Sequence, residues 1–571
     1  MLTKITILIL LAGLFGAPLL AQTGRQSDPK VNIAFNRYYD HAEIGDLLRR
    51  MEKAWPEFLS LSSIGKSHEG RDIWLMTIQN KKTGAEFEKA AMYIDGNIHG
   101  NEVQASEVCI YTIWYLMENY GKLEEVTKVV DERVFYIAPS VNPDGRDYWF
   151  HRANTSSSSR SGTQPTDNDG DGLFDEDGPE DLDGDGSITR MRKKVAKGGT
   201  HKLDPEDPRF MIRVKAGEEG DYILLGSEGI DNDADGRKNE DGIGGYDMNR
   251  NNPTDWQPNY IQRGAGWYPF SKNEPRAVGA FVKAHPNIAA GQSYHNSGGM
   301  ILRGPGNAKI PEYPRGDLAV YDEIGRKGER ILPFYRYMII HKDLYNVHGG
   351  FVNFLAEGLG IVSFTNELWS NPRYFMSKDR KPDDRKAFND LVMLGGFYKN
   401  WSPFTHPEYG EIEIGGWNKW SSRQNPGFTL EETCHRNCAF SLLHAKEMPL
   451  VVMDDHKIEA LGDGLFRVRV TLKNERLIPS RTAHASKYKC GLPDFVELRG
   501  GRVVAAGRVT GRYPNERIVP IEKDLARVRL ESGIGSKAKV TVEWIVEGRA
   551  PYEVEFRSQK GGAIRRSLKI P

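Results

Sequence analysis

Two kinds of hydrophobic patterning divide this chain. From Tyr38 to about Lys446, short continuous runs of β-branched and other apolar residues alternate with longer stretches in which apolar residues recur at helical spacing. The runs at 91–94, 134–138, 288–294 and 361–365 predict strands, and 44–55, 102–120 and 274–284 predict helices. Alternation of this kind predicts an α/β domain with a largely parallel or mixed sheet. After Pro449 the period changes to two, as in 466–472 (Phe-Arg-Val-Arg-Val-Thr-Leu) and 538–544 (Ala-Lys-Val-Thr-Val-Glu-Trp). Residues 449–571 therefore predict a separate antiparallel β-sandwich, an accessory domain with no catalytic cluster of its own.

The longest apolar run comes first. Lys4 precedes an unbroken stretch from Ile5 to Gly16, then Pro18 and the small residue Ala21. That run is too short to span a bilayer and Pro18 breaks it, so 1–21 reads as a cleaved signal peptide and the protein as secreted or periplasmic, without stable membrane insertion after cleavage. An oxidising compartment would let the four cysteines, Cys109, Cys434, Cys438 and Cys490, form up to two disulfides, although Cys109 lies in an apolar helical stretch where a buried thiol fits better. The chain carries 77 basic and 78 acidic residues, a formal charge of −1, so no global field draws it to nucleic acid. Its partners must be recognised by local chemistry.

The charge that matters is concentrated. Between Asp167 and Gly186, ten residues are acidic, five are Gly and none is Lys or Arg. The acids repeat: Asp167, Asp169 and Asp171 run into Gly172; Asp181, Asp183 and Asp185 into Gly186; and Asp231, Asp233 and Asp235 into Gly236. Alternate carboxylates on a Gly-containing turn supply hard oxygen ligands, so the insertion at about 160–242 is expected to hold structural calcium, although no copy has the Glu at the twelfth position that completes an EF-hand.

Among the 14 histidines, His99 with Glu102 and His444 with Glu447 show a Glu three residues on, a spacing that composition alone also produces. Context separates them. His99 follows the strand 91–94 and Glu102 opens a helix, at the carboxyl end of a strand where open α/β sheets place their sites. His444 lies mid-helix, a packed or surface position. A catalytic zinc needs three protein ligands, and His295, at the end of the strand 288–294, is the best third.

These residues belong to a longer series. His99-Gly100-Asn101-Glu102, Asn142-Pro143-Asp144-Gly145, Asp247-Met248-Asn249-Arg250-Asn251, Tyr294-His295-Asn296 and Ser363-Phe364-Thr365-Asn366-Glu367-Leu368 occur in the order found in zinc carboxypeptidases of the carboxypeptidase A type. From about Tyr38 to Lys446 the sequence resembles that family, and 22–448 is expected to be its catalytic domain. The resemblance implies one zinc bound by His99, Glu102 and His295, with Glu367 as the general base. It further implies that Asn249 and Arg250 grip the terminal carboxylate of a peptide or protein substrate. Counting back from Glu367 without a gap puts Tyr345 on the family's mobile tyrosine, Gly349-Gly350 on its paired glycines, and Val352 on the floor of its specificity pocket, where an aliphatic residue selects apolar C-termini. The family also uses an arginine to polarise the scissile carbonyl, placed between Asn142-Pro143-Asp144-Gly145 and Asn249-Arg250. The basic run after the acidic loops makes Arg192 the expected residue, with Arg190 and Arg152 as rivals. Asn101 stands where some members carry Arg. Two other readings stay open at this stage: a cell-wall peptide carboxypeptidase of the D-Glu/diaminopimelate type, and a catalytically silent calcium- or peptide-binding module.

Overall fold

The computed structural model describes residues 28–369, 382–511, 515–548 and 551–568. The expected signal peptide lies outside these residues, and among them no helix is long and apolar enough to cross a membrane.

Eight strands form the principal sheet: β1 (Leu59–Lys66), β2 (Asp72–Ile78), β3 (Ala91–Gly96), β4 (Val134–Ala138), β9 (Ile288–Asn296), β10 (Met300–Arg303), β11 (Arg336–Ile339) and β12 (Val362–Leu368), in the order β1-β2-β4-β3-β9-β12-β10-β11. The four central strands β4, β3, β9 and β12 are mutually parallel, whereas β2 runs antiparallel to β1 and β4 on one side, and on the other β10 runs antiparallel to β12 and parallel to β11. This is the mixed sheet the patterning predicts. β3, β4 and β9 are buried along their whole length, which is why they read as continuous apolar runs and not as alternation. The helices His41–Ala54, Gln104–Asn119 and Gly427–Lys446 contribute to a core on one face with Leu48, Met51, Ile110, Trp114, Leu430 and Phe440, and Asn273–Ala284 covers the other face through Val278 and Val282. The first of these opens with a reciprocal capping box: Asp40 accepts from the Glu43 amide, and Glu43 from the Asp40 amide.

The interval expected as an acidic insertion also builds a sheet of its own. Strands β5 (Arg190–Gly199), β6 (His201–Leu203), β7 (Met211–Arg213) and β8 (Gly220–Ser227) join β13 (Tyr398–His406) and β14 (Gly410–Trp417) in the order β13-β14-β5-β8-β6-β7. Beyond Val451, strands Val451–Gly462, Leu465–Asn474, Arg502–Thr510, Arg517–Pro520 and Lys539–Glu547 make one antiparallel sheet, and Asp494–Arg499, Arg527–Leu530, Tyr552–Ser558 and Gly562–Leu568 a second. Both contribute to one apolar core that includes Val468, Val496, Trp544 and Phe556.

The disulfide expectation is overturned. All four cysteines are free, and Cys109, Cys434 and Cys438 are buried as small apolar side chains between helices Gln104–Asn119 and Gly427–Lys446. His444 is fully buried, edge-on to Phe364 with ring centroids 5.2 Å apart.

Candidate active site

Three segments converge at the carboxyl ends of the parallel strands. His99 stands three residues past β3, Glu102 two residues before the helix Gln104–Asn119, and His295 is the penultimate residue of β9. The parallel register of β9 and β12 sets Glu367 directly beside His295. His99 Nδ1 lies 2.9 Å from Glu102 Oε1, His295 Nδ1 lies 2.9 Å from Glu102 Oε2, and the two Nδ1 atoms are 3.2 Å apart. All three side chains are buried. One ligand atom from each falls within 4.8 Å of the other two.

Asp247 sets the orientation of His99. Its Oδ1 lies 3.0 Å from His99 Nε2, so the ring proton belongs on Nε2 and the lone pair of Nδ1 faces the cluster. Asp247 also caps the turn Met248–Arg250 by accepting from the Asn249 amide at 2.8 Å. That turn delivers Asn249 and Arg250 to the site. Asn249 Oδ1 accepts from the Phe351 amide at 2.8 Å and its Nδ2 lies 3.4 Å from His295 Nε2, while Arg250 Nη1 donates to the Asn249 carbonyl at 2.8 Å. Gly349 is required beside it: φ is +65°, and a Cβ would come within 2.2 Å of the Arg250 carbonyl oxygen. Tyr345 is 57% exposed and lines, with Arg250, Asp247 and Tyr246, a cleft of about 720 Å³.

Arg192 is not in the site. It lies on β5, 5% exposed, with its guanidinium over the rings of Trp401 (4.2 Å) and Tyr222 (4.7 Å) and Nε bonded to Glu413 at 2.8 Å. The basic run that singled it out is a strand of the insertion sheet, pairing with β8 and β14. Neither Arg190 nor Arg152 lines the cleft. Besides Arg250, Arg160 and Arg423 reach the site. Arg160 donates to Asp247 Oδ2 at 3.1 Å and to Glu102 Oε1 at 3.2 Å. Arg423 donates to the Asn296 carbonyl at 2.9 Å and stands 3.6 Å from Glu102. Arg160 falls in the expected interval but upstream of the acidic loops, inside a Ser-rich run; Arg423 precedes a helix far along the chain and carries no motif. Asp247 lies within the run Asp247-Met248-Asn249-Arg250-Asn251, but its hold on His99 and Arg160 has no sequence signal.

Val352 is buried in a small cluster with Leu302, Met338, Ile340 and Val347 and does not line the cleft.

These contacts shape the charge states. Burial alone would push Glu102 up, but the neighbouring His99 and His295 outweigh it and hold its carboxyl well below the usual range. Burial likewise opposes ionisation of Asp247, and Arg250, His99 and Arg160 together overcome it. Glu367 behaves oppositely. Burial and the charge of Glu102 raise it, His295, Arg160 and Arg423 pull it back, and it settles at about 7. A carboxylate poised there is matched to taking a proton near neutral pH.

A family model for zinc carboxypeptidases matches residues 44–196 and 225–387, more than half of the chain, and the chain belongs to that family. Zinc is the metal expected for it. A model for a domain of unknown function matches 450–569. Among curated relatives, carboxypeptidase D of Homo sapiens is 33% identical over 122 residues, covering 21% of this chain and 9% of that protein. An inactive metallocarboxypeptidase of Saccharomyces cerevisiae is 33% identical over 119 residues, 20% of this chain and 27% of that protein. The chain thus spans less than a third of the length of either relative. A crystal structure of thrombin activatable fibrinolysis inhibitor covers 73% of this chain and 76% of its own, with 17% identity and a TM-score of 0.45.

Proposed function

We propose that the protein is a secreted zinc-dependent carboxypeptidase that hydrolyses the last peptide bond of peptides or proteins. The observation that carries this reading is the convergence of His99, Glu102 and His295, with Glu367 in register beside His295 and Arg250 in a cleft that Asp247, the partner of His99, also lines. The donor set fits zinc. Two imidazole nitrogens and one carboxylate are a common three-ligand catalytic set, and Asp247 behind His99 is the outer carboxylate that such sites use to fix a ligand. A zinc ion held by these three residues would act as a Lewis acid on a carbonyl and lower the pKa of water.

The remaining work falls to this chain's own side chains. Arg250 offers a guanidinium fork to the terminal carboxylate of the substrate, and that selects free C-termini. Asn249 holds the turn that carries Arg250 in place by accepting a hydrogen bond from the Phe351 amide. Glu367 takes the proton from the attacking water on a carboxylate oxygen and passes it to the leaving amine. Arg160, not Arg192, stabilises the negative charge that develops on the scissile carbonyl oxygen. Tyr345, exposed on the cleft rim, covers bound substrate.

In domain terms, we assign 1–21 to a signal peptide, 22–448 to the catalytic unit and 449–571 to a β-sandwich accessory unit. The test of the catalytic reading is Glu367→Gln. It should retain zinc and bind substrate while kcat drops by several orders of magnitude, because the amide cannot accept the proton. Near-normal kcat in that variant would remove Glu367 from the chemistry.

A further inference from the structure

The three Asp-rich loops look alike in sequence, but the structure treats them differently. In the second, Asp183 and Asp185 both pair with Lys399, the Asp185 contact at 2.8 Å, so an ammonium group already offsets their charge even though Asp183 Oδ1 has no hydrogen-bond donor. In the first, Asp167 and Asp169 face the buried Asp241, but both oxygens of Asp241 are engaged: Oδ1 accepts from the Asn168 amide (3.2 Å) and Nδ2 (2.8 Å), and Oδ2 from the Asp175 amide (3.2 Å).

The third loop is different. Asp231 and Asp233 converge with Asp177, which arrives from the other limb of the insertion, each contributing an oxygen within 4.8 Å of the others. Asp177 is 0% exposed. Its Oδ1 accepts one bond, from Asn232 Nδ2 at 3.2 Å, and its buried Oδ2 accepts none. Asp231 Oδ1 and both carboxylate oxygens of Glu240 are also buried without a hydrogen-bond donor. Glu240 sits within Coulombic reach of Asp177, Asp233 and Asp235. The loop's own cations do not answer this charge. Arg237 is 70% exposed and reaches Asp235 only at 3.8 Å, and Lys238 donates to the Leu225 carbonyl. A fully buried carboxylate oxygen facing other carboxylates, with no donor and no counter-ion, is a costly arrangement unless something positive fills it.

We propose that Asp177, Asp231 and Asp233 hold one calcium ion, with Glu240 as a further carboxylate ligand. The ligands are all hard oxygens, with neither nitrogen nor sulfur, which selects calcium over a transition metal. Gly236, the sixth residue of the loop, has φ +91°, the turn such loops require. Gly242 occupies the twelfth position, and Asp177 from the opposite limb replaces the acid missing there. Pro179, two residues after Asp177, and Asn239, Gly242 and Ile243, at the end of the loop, all line the catalytic cleft. The ion therefore ties together two segments of the cleft wall just before Asp247. This inference stands apart from the zinc assignment, because it is read from calcium binding and not from catalysis.

The test is a calorimetric calcium titration of the full mature protein, stripped with chelator and replenished with zinc, for wild type, Asp177→Asn, Glu240→Gln and Asp183→Asn. Wild type and Asp183→Asn should bind one calcium equally well, in preference to magnesium, and Asp177→Asn and Glu240→Gln should bind at least tenfold more weakly. If Asp177→Asn fails to fold, Glu240→Gln decides alone, since it is partly exposed. Absence of calcium binding in wild type, unchanged affinity in Glu240→Gln, or loss confined to Asp183→Asn would each overturn the assignment.

Discussion

Exchanging the roles of two arginines gives the sharpest mutational contrast. Arg160→Ala removes a guanidinium bonded to Glu102 and Asp247 at the mouth of the site; Arg192→Ala removes one stacked on Trp401 and Tyr222 about β5. A unit charge about 4 Å from a developing oxyanion, at an effective dielectric constant of about 20, contributes on the order of 4 kcal/mol. The ground-state carbonyl is neutral, so most of that is felt only in the transition state and falls on kcat. Loss of a single oxyanion donor typically costs about 2.7–4 kcal/mol, so a fall of roughly 10²–10³ in kcat is expected for Arg160→Ala. The pH profile should move as well. Arg160 is one of the groups that lower Glu367 from the effect of burial and Glu102, so its removal raises that carboxyl above about 7 and shifts the acidic limb of kcat/KM to higher pH. Arg192→Ala should keep kcat within about threefold while costing roughly 1–3 kcal/mol of stability, the range for stranding a buried group and losing its packing. Steady-state kinetics from pH 5 to 9, urea unfolding and zinc content on both variants make the measurement. A large kcat loss in Arg192→Ala, or less than a tenfold loss in Arg160→Ala with an unmoved acidic limb, would refute the reassignment.

Two further outcomes follow from the same structure. Arg250→Ala should raise KM for free-carboxylate peptides by the loss of a charge-assisted contact worth about 2–4 kcal/mol, seen in steady-state kinetics with matched peptides; an unchanged KM would place carboxylate recognition elsewhere. His444 is buried with neither ring nitrogen hydrogen-bonded, and burial lowers its pKa from 6.5 to about 3. The unfolded chain therefore binds a proton between these values that the folded one does not. That contribution is intact above about pH 6.5 and is lost as pH falls toward 3, at up to about 1.4 kcal/mol per pH unit. His444→Phe should flatten the acid limb of stability in urea titrations at pH 4 to 7, and an identical slope in the variant would contradict the assignment.

Much of the principal fold was legible because its signals are local. Fully buried parallel strands read as unbroken apolar runs, and β3, β4 and β9 appear where such runs lie. The zinc-type cluster was legible because motif residues fall at strand ends, and β9/β12 register then brings His295 and Glu367 together. What was hidden depends on pairing between distant segments. The strand carrying Arg192 looks like a basic run until its partners Glu413 and Trp401, more than 200 residues on, are seen to bury it. Arg423 reaches Glu102 only because the chain before the helix Gly427–Lys446 returns to the carboxyl ends of the central strands, where it bonds the Asn296 carbonyl. The same holds for Asp177, whose acidic surroundings gave no sign that it would complete a loop fifty residues later. The expected export would allow disulfides, but helix packing places Cys434 and Cys438 in the core as thiols.

The most direct test of the central claim is to follow product release from matched peptides, one with a free and one with an amidated C-terminus, by mass spectrometry with the purified zinc-loaded protein. The site predicts stepwise loss of single C-terminal residues from the free peptide, with the amidated peptide left intact over the same time. Cleavage of both peptides at equal rates, or at internal bonds, would contradict a carboxypeptidase.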